Sequence, residues 1–302
     1  MGKIDDIKII DHPLPHRIRF SRWLRAIDVY LLPWSKSSLH FDRAYIEQLK
    51  RIRPEDCVLY FSIENAKDLQ ILRRFIAARR QFVWLWNPIR SSRGNALSRL
   101  WYLTWLRRSG IQACTFEPSD ARDFDIRLAN QVYRHVAVPS SVPEEGEALR
   151  QDVYFLGMDK GRLAALRLLK AELERAGLKA RFHVLADKRK RYSGEDRTYL
   201  SKDWVPYSDN LRNVLNSRAL LELMQPGQSG PTIRTMEAMF MNRKLISNNS
   251  ALRETALYHP SRIFILGQDD MAGISGFINS HLEPVDPSVL SDYDIEHWIR
   301  QF

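Results

Sequence analysis

Cysteine is scarce in this chain, with only Cys57 and Cys114 among 302 residues, each beside a short apolar run. Two such residues exclude a disulfide framework and a cysteine-based zinc site, and they read as buried free thiols of a reducing cytoplasm. None of the eight histidines stands at metal-ligand spacing from another, and no G-x-S-x-G or Cys–His signature of a nucleophile occurs. Long apolar runs are also missing, which excludes a membrane-spanning helix. The opening MGKIDDIKII puts acid where a secretory signal has a positive and then an apolar segment, so export by that route is not expected. No internal repeat and no low-complexity tract interrupts the pattern.

What is present describes a soluble globular protein: 44% hydrophobic and 27% charged residues, over a length that accommodates two ordinary domains. Basic residues outnumber acidic ones by 46 to 36, a net charge of +10. That excess favours an anionic partner, and a phosphosugar, a nucleic acid and a membrane surface all fit it. The basic residues read as scattered through both regions rather than clustered.

Residues 1–140 alternate short apolar runs with basic amphipathic ones. The runs at 27–32, 58–62, 82–86 and 113–116 are expected strands, and 45–52, 68–80 and 95–108 are expected helices. Asp68 is the expected cap of the second helix, and Gly110 the stop of the third. Residues 139–149, with two prolines, a glycine and two serines, form the expected linker. Beyond it, strands are expected near 153, 182, 219, 244 and 262. Helices are expected at 162–176, ended by Gly177, and at 208–217, 271–280 and, terminally, 294–302. The alternation argues for α/β layers with largely parallel sheets, and for a Rossmann-like second domain over 150–293.

Residues 219–249 organise this second region. An apolar run at 219–224 fits a buried strand, and a loop with two glycines and two prolines follows it. A helix then starts with Gly230 or Thr232 as cap, and Ile233, Met236 and Phe240 make its buried stripe. Glu237 shares that stripe, and a carboxylate on an inward face needs a partner to offset its desolvation. Strand, Gly-rich loop and helix amino terminus together suit an anion; the plain alternative is a βαβ unit with a tight turn. The loop after the first strand of the region carries Lys160 and Arg162 and belongs to the same sheet edge, either as diphosphate ligands or as a solvated basic turn.

Other stretches have two readings each. Asp123-Phe124-Asp125 matches the D-x-D pattern that holds a divalent cation in metal-dependent sugar transferases, and it also reads as a solvated helix start. The segment 99–108 (RLWYLTWLRR) suits an interfacial helix near anionic lipid, a platform for single-stranded nucleic acid, or a packed helix with basic ends. Lys188-Arg189-Lys190-Arg191 reads as a solvated loop.

Several motifs resemble a family of bacterial surface-polysaccharide glycosyltransferases, often labelled lipopolysaccharide or capsule biosynthesis proteins, with a GT-B-like layout. They are Trp84-Leu85-Trp86-Asn87-Pro88, Thr115-Phe116-Glu117-Pro118 followed by Asp120, and Val153-Tyr154-Phe155-Leu156-Gly157 with Arg162. The most specific is residues 225–237 (QPGQSGPTIRTME) followed by Lys244-Leu245-Ile246-Ser247-Asn248-Asn249.

The resemblance implies two Rossmann-like α/β domains facing across a cleft, the second holding a nucleotide-sugar donor and the first a glycan or glycolipid acceptor. Gln228, Ser229, Gly230 and Thr232 would cradle the diphosphate, with Arg234 also among the donor-binding residues. Glu237 would accept from the ribose hydroxyls. Lys160 and Arg162 would neutralise the leaving group, the work a metal does elsewhere, so neither metal nor cofactor is implied. Families with a glutamate pair eight apart carry a second Glu where this chain has Ser229. For the base that an inverting transfer needs, Glu64 and Asp120 are the carboxylates at strand ends. The implied setting is cytoplasmic, peripheral on the inner membrane, with no nucleic-acid partner. The rival reading is a non-enzymatic, basic nucleic-acid-binding protein.

Overall fold

A computed structural model describes residues 7–13, 21–35, 37–92, 94–134, 151–225 and 227–302, and the expected linker at 139–149 lies outside them. The chain forms two compact units, Met1–Ala129 with Arg300–Phe302, and Asn130–Ile299. In the first, α1 (Ser21–Tyr30) and α2 (Arg43–Lys50) precede β1 (Cys57–Phe61), α3 (Ala66–Leu72), β2 (Arg80–Leu85) and α4 (Ile89–Ser92). Then come α5 (Ala96–Arg108), β3 (Ile111–Thr115), α6 (Pro118–Phe124) and β4 (Arg127–Leu128). The strands pair in parallel in chain order, with Val83 beside Tyr60 on one neighbour and Ala113 on the other.

Strand alternation sends Val83 and Leu85 into a core with Leu49, Leu69, Leu72 and Leu106 from α2, α3 and α5. Phe82 and Trp84 point the other way. There Trp84 stacks on Phe61 at 5.1 Å and meets Trp86 edge-on at 5.3 Å. The Phe302 ring closes on Phe82 at 5.4 Å, and the Arg127 guanidinium lies over both rings. Caps set the helix starts: Asn95 accepts from Ser98 at α5, and Asn65, not the expected Asp68, caps α3. Gly110 stops α5 in the left-handed region, at φ 68°.

The expected strand at 27–32 is instead the end of α1 and the turn after it. Arg25 and Asp28 are three residues apart, so a helix puts them on one face where a strand would put them on opposite ones. Both find buried partners there. Arg25 pairs with Asp68 at 2.9 Å and Arg74 with Asp28 at 3.3 Å, while Asp28 also accepts from Ser38 and from the amides of Leu39 and His40. The ion pairs decide the secondary structure here, and α3 stops at Leu72, short of the expected Arg80.

The second unit contains β5 (Gln151–Met158), α7 (Leu163–Arg175), β6 (Ala180–Leu185), α8 (Gly194–Thr198), α9 (Tyr207–Leu215) and β7 (Ser217–Glu222). After these come α10 (Ile233–Phe240), β8 (Lys244–Ser247), β9 (Ile263–Ile265), α11 (Ile274–Asn279), α12 (Pro287–Ser291) and α13 (Ile295–Trp298). Its sheet is parallel throughout, in the order β6-β5-β7-β8-β9. One face packs on α7 and α11 through Val153, Phe155, Ala219 and Leu221; the other packs on α9 and α10 through Tyr154, Leu220 and Leu245. The expected terminal helix at 294–302 is the short α13, capped by Asp294, followed by a 3-10 turn over Ile299–Gln301.

The basic residues are spread over both units, 24 in the first and 22 in the second, but the acidic ones number 14 and 22, so the whole excess of +10 belongs to the first. Among the described residues no helix is long and apolar enough to cross a membrane.

Asp28→Ala leaves Arg74 without its carboxylate and is expected to lower the unfolding free energy by about 3–5 kcal/mol in denaturant titrations. A loss no larger than a surface substitution causes would show that these pairs do not hold α1.

Candidate functional site

In the second unit β5 and β7 are neighbours, and the helices that follow them leave to opposite faces of the sheet. An open parallel sheet leaves a crevice beyond the carboxyl ends of two such strands. The two loops singled out in the sequence, 157–162 and 223–231, are the segments that follow these strands. The fold therefore brings them to one place.

The loop after β5 turns through Lys160 at φ 43° and Gly161 at φ 91°, a left-handed pair that leaves Lys160 exposed. Asp159 is fully buried beneath it, accepting at 2.7 Å from the amide of Leu163, the first residue of α7. The same carboxylate takes Lys190 at 3.1 Å and Tyr192 at 2.9 Å. These donors hold it below the usual carboxylate range against the opposing effect of burial. Lys190, expected in a solvated loop, is thus a ligand of this buried acid.

Arg162 folds back over Gly157, where a side chain would meet its guanidinium at 3.3 Å. It donates to the carbonyls of Met158, Asp159 and Leu223, which ties the end of β5 to the end of β7. Among the described residues its hydrogen-bond partners are all main-chain carbonyls, so its charge is not matched by a carboxylate contact. Burial lowers its pKa from the ordinary value.

Behind the second loop lies a residue the sequence reading passed over as part of an apolar run. Glu222, at the end of β7, is buried and accepts from the hydroxyls of Thr232, Thr235 at 2.8 Å and Ser247 at 2.5 Å. It thereby joins β7, the start of α10 and the end of β8. Thr232, not Gly230, caps α10 by accepting from the Arg234 amide, in a capping box with Thr235. Gln228 folds back on the Gln225 amide at 3.2 Å. Asn248 accepts from Met224 at 2.6 Å, and Asn249 donates to the Ser229 carbonyl at 3.0 Å. The two halves of the most specific sequence motif are one hydrogen-bonded assembly.

α10 is enclosed almost all round, with Thr235, Met236, Glu237, Ala238 and Met239 buried, while the expected stripe members Ile233 and Phe240 are only half-buried. Glu237 is 2% exposed. One oxygen accepts from Asn210 of α9 at 2.8 Å, the other from Arg234 at 2.5 Å. In the residue expected at a ribose, both carboxylate oxygens thus accept from partners inside the unit, as burial requires. Burial raises its pKa, and Arg234 and Asn210 oppose that rise. Arg234 reaches on to the Leu156 carbonyl at 3.0 Å and over the Tyr154 ring.

In the first unit the two carboxylates named for base catalysis hold one loop. Glu64 accepts from the amides of Trp86 at 2.5 Å and Asn87 at 3.3 Å, and Asp120 from that of Ile89 at 2.6 Å. Asp120 is 1% exposed, and burial raises its pKa; Glu64 is half-buried. Asp123 and Asp125 stand at the end of α6, not at a helix start. Asp123 pairs with Arg90, and Asp125 is the left-handed C-cap with a fully exposed side chain. A cavity of about 290 Å³ in the second unit is lined by Leu163, Leu166, Arg167, Phe182 and Tyr199, and by none of the residues expected at a site.

No protein-family model matches the chain, and no curated protein does. Solved structures do match. One is AviGT4, a glycosyltransferase involved in avilamycin A biosynthesis, at 12% identity and a TM-score of 0.49, over 78% of this chain and 77% of that one. Another is the glycotransferase of kitacinnamycin, at 13% identity and a TM-score of 0.37, over 94% of this chain and 80% of that one. The parallel strand orders, not these likenesses, define the architecture.

Two outcomes follow from this geometry. Glu222→Ala leaves three hydroxyls without their acceptor and is expected to cost roughly 3 kcal/mol in denaturant unfolding; an unchanged midpoint would mean that α10 is positioned without it. Because the folded pKa of Glu237 is raised, its stabilisation is complete below the unfolded carboxylate pKa and is lost as pH rises through the folded value. Stability measured against pH should show that downward component in the wild type and lack it in Glu237→Gln.

Proposed function

We propose that this chain is a metal-independent glycosyltransferase, of hexosyl or related type, with a GT-B-like layout. The second unit would hold the nucleotide-sugar donor, and the first a lipid-linked, lipopolysaccharide or capsule glycan acceptor. The observation that carries this reading is the convergence of the loops 157–162 and 223–231 beyond β5 and β7, where the sheet changes winding direction. Lys160 is exposed there, and Arg162 carries a charge without a carboxylate contact among the described residues. The capped amino end of α10 adds the positive end of its dipole.

Transfer breaks the bond from the sugar's anomeric carbon to the diphosphate and makes one to an acceptor hydroxyl. Lys160 and Arg162 would stabilise the departing diphosphate, and Gln228, Ser229, Gly230 and Thr232 would line its seat. Arg234, held by Glu237, would orient the donor, with Glu237 acting through that arginine. The acceptor proton would pass to Glu64 or Asp120, of which Glu64 is the less buried. The setting proposed is cytoplasmic, at the inner membrane face.

Calorimetry with uridine, guanosine, adenosine and thymidine diphosphates and CMP tests the reading. Saturable heat that survives chelator is expected with one of them, weakened about tenfold by Lys160→Ala; no heat with any would overturn it. The competing nucleic-acid reading expects oligonucleotide affinity that falls steeply with salt and is unchanged by Arg162→Ala.

A further inference from the structure

Helix α1 buries polar residues and exposes apolar ones. Arg25 and Asp28 face inward beside Val29, fixed by the pairs to Asp68 and Arg74, while Trp23 and Tyr30 are 71% and 67% exposed. The apolar line continues past the helix end through Leu31, 73% exposed, and Trp34, 93% exposed. Positions 23, 27, 30, 31 and 34 follow helical spacing, and the turn that carries the last two is closed by the amides of Leu31 and Leu32 on the Ile27 carbonyl. α5 repeats the pattern: Tyr102, Leu103 and Leu106 are buried, and Leu97, Leu100 and Trp101 are exposed on the other side. Large aromatic and aliphatic side chains held in water by an ion-paired inner face mark a surface that meets something.

We infer that the first unit docks on an anionic lipid bilayer through the outward face of α1 and its following turn. Charge complementarity selects that occupant. The full net charge of +10 belongs to this unit and none of it to the other, and the Lys67 ammonium lies 5.0 Å from the Tyr30 ring at the edge of the apolar face. Tryptophan and tyrosine suit the headgroup level, where an apolar ring body and a polar edge are both accommodated. A shallow apolar face backed by net positive charge is the chemistry of reversible interfacial binding. A second copy of the chain would bring +10 against +10, which disfavours it. The inference uses no residue of the donor site, so its failure and the failure of the transferase reading are separable.

The test is co-sedimentation of the full chain with vesicles of phosphatidylcholine alone and of phosphatidylcholine mixed with phosphatidylglycerol. Binding is expected only with the mixed vesicles, with a blue shift of tryptophan emission, and it should weaken as salt approaches about 1 M. The triple substitution Tyr30→Ser, Leu31→Ser and Trp34→Ser should lower the bound fraction about tenfold. Leu168→Ser, at an equally exposed leucine of α7, should leave it unchanged. Should the triple variant melt early, emission quenching of the wild type by bromine-labelled phosphatidylglycerol decides instead. Absence of vesicle binding, an unaffected triple variant, or light scattering that shows the face closed by a second copy would each overturn the inference.

Discussion

The second unit depends on where the buried carboxylate of Glu222 sits and what it accepts. Hydroxyls from the cap of α10, from its first turn and from the end of β8 converge on it. In a low-dielectric interior such a network is strong when every member is matched and costly when one is not. The start of α10 is therefore set relative to two strands at once. From that start Arg234 reaches the Leu156 carbonyl, and the asparagines after β8 take hold of the loop between β7 and α10. The Gly-rich segment gains its shape from this anchoring more than from its glycines.

The arginines near the proposed donor site are first of all fasteners. Arg162 joins the ends of β5 and β7 through carbonyls, and Arg234 joins α10 to β5 while neutralising Glu237. A guanidinium offers five donors in a fixed fork, so it can hold backbone and still present positive potential to an anion. Lys160, on the left-handed turn, is the exposed charge beside them. With equal numbers of acidic and basic residues in this unit, any anion there is drawn by local arrangement and not by the general field. The first unit has the opposite character: its field is general, and it lies behind exposed tryptophan and tyrosine.

The sequence marked β1 to β3 of the first unit and all five strands of the second, because buried parallel strands are short apolar runs, but not the two-residue β4, which carries no such run. β8, Lys244–Ser247, was legible residue for residue. Glu222 was not, because one acid in a strand-length apolar run has no local mark of its partners, which come from ten, thirteen and twenty-five residues away. Lys190 looked solvated among its basic neighbours for the same reason, since Asp159 meets it across thirty-one residues. α1 was misread as a strand because the signal used, a short run of bulky apolar side chains, is shared by both structures.

Composition, periodicity and turn residues determined the α/β class, the strand positions and the places where glycine permits a left-handed turn. These are local quantities, set by side-chain spacing and backbone sterics within a few residues. The tertiary structure alone decided that β5 and β7 are neighbours, that Glu237 is enclosed by Arg234 and Asn210, and that α1 turns its apolar side to water. The first is settled by strand pairing, and the other two draw on buried polar partners distant in the chain, Asn210 for Glu237 and Asp68 and Arg74 for α1, which burial makes obligatory.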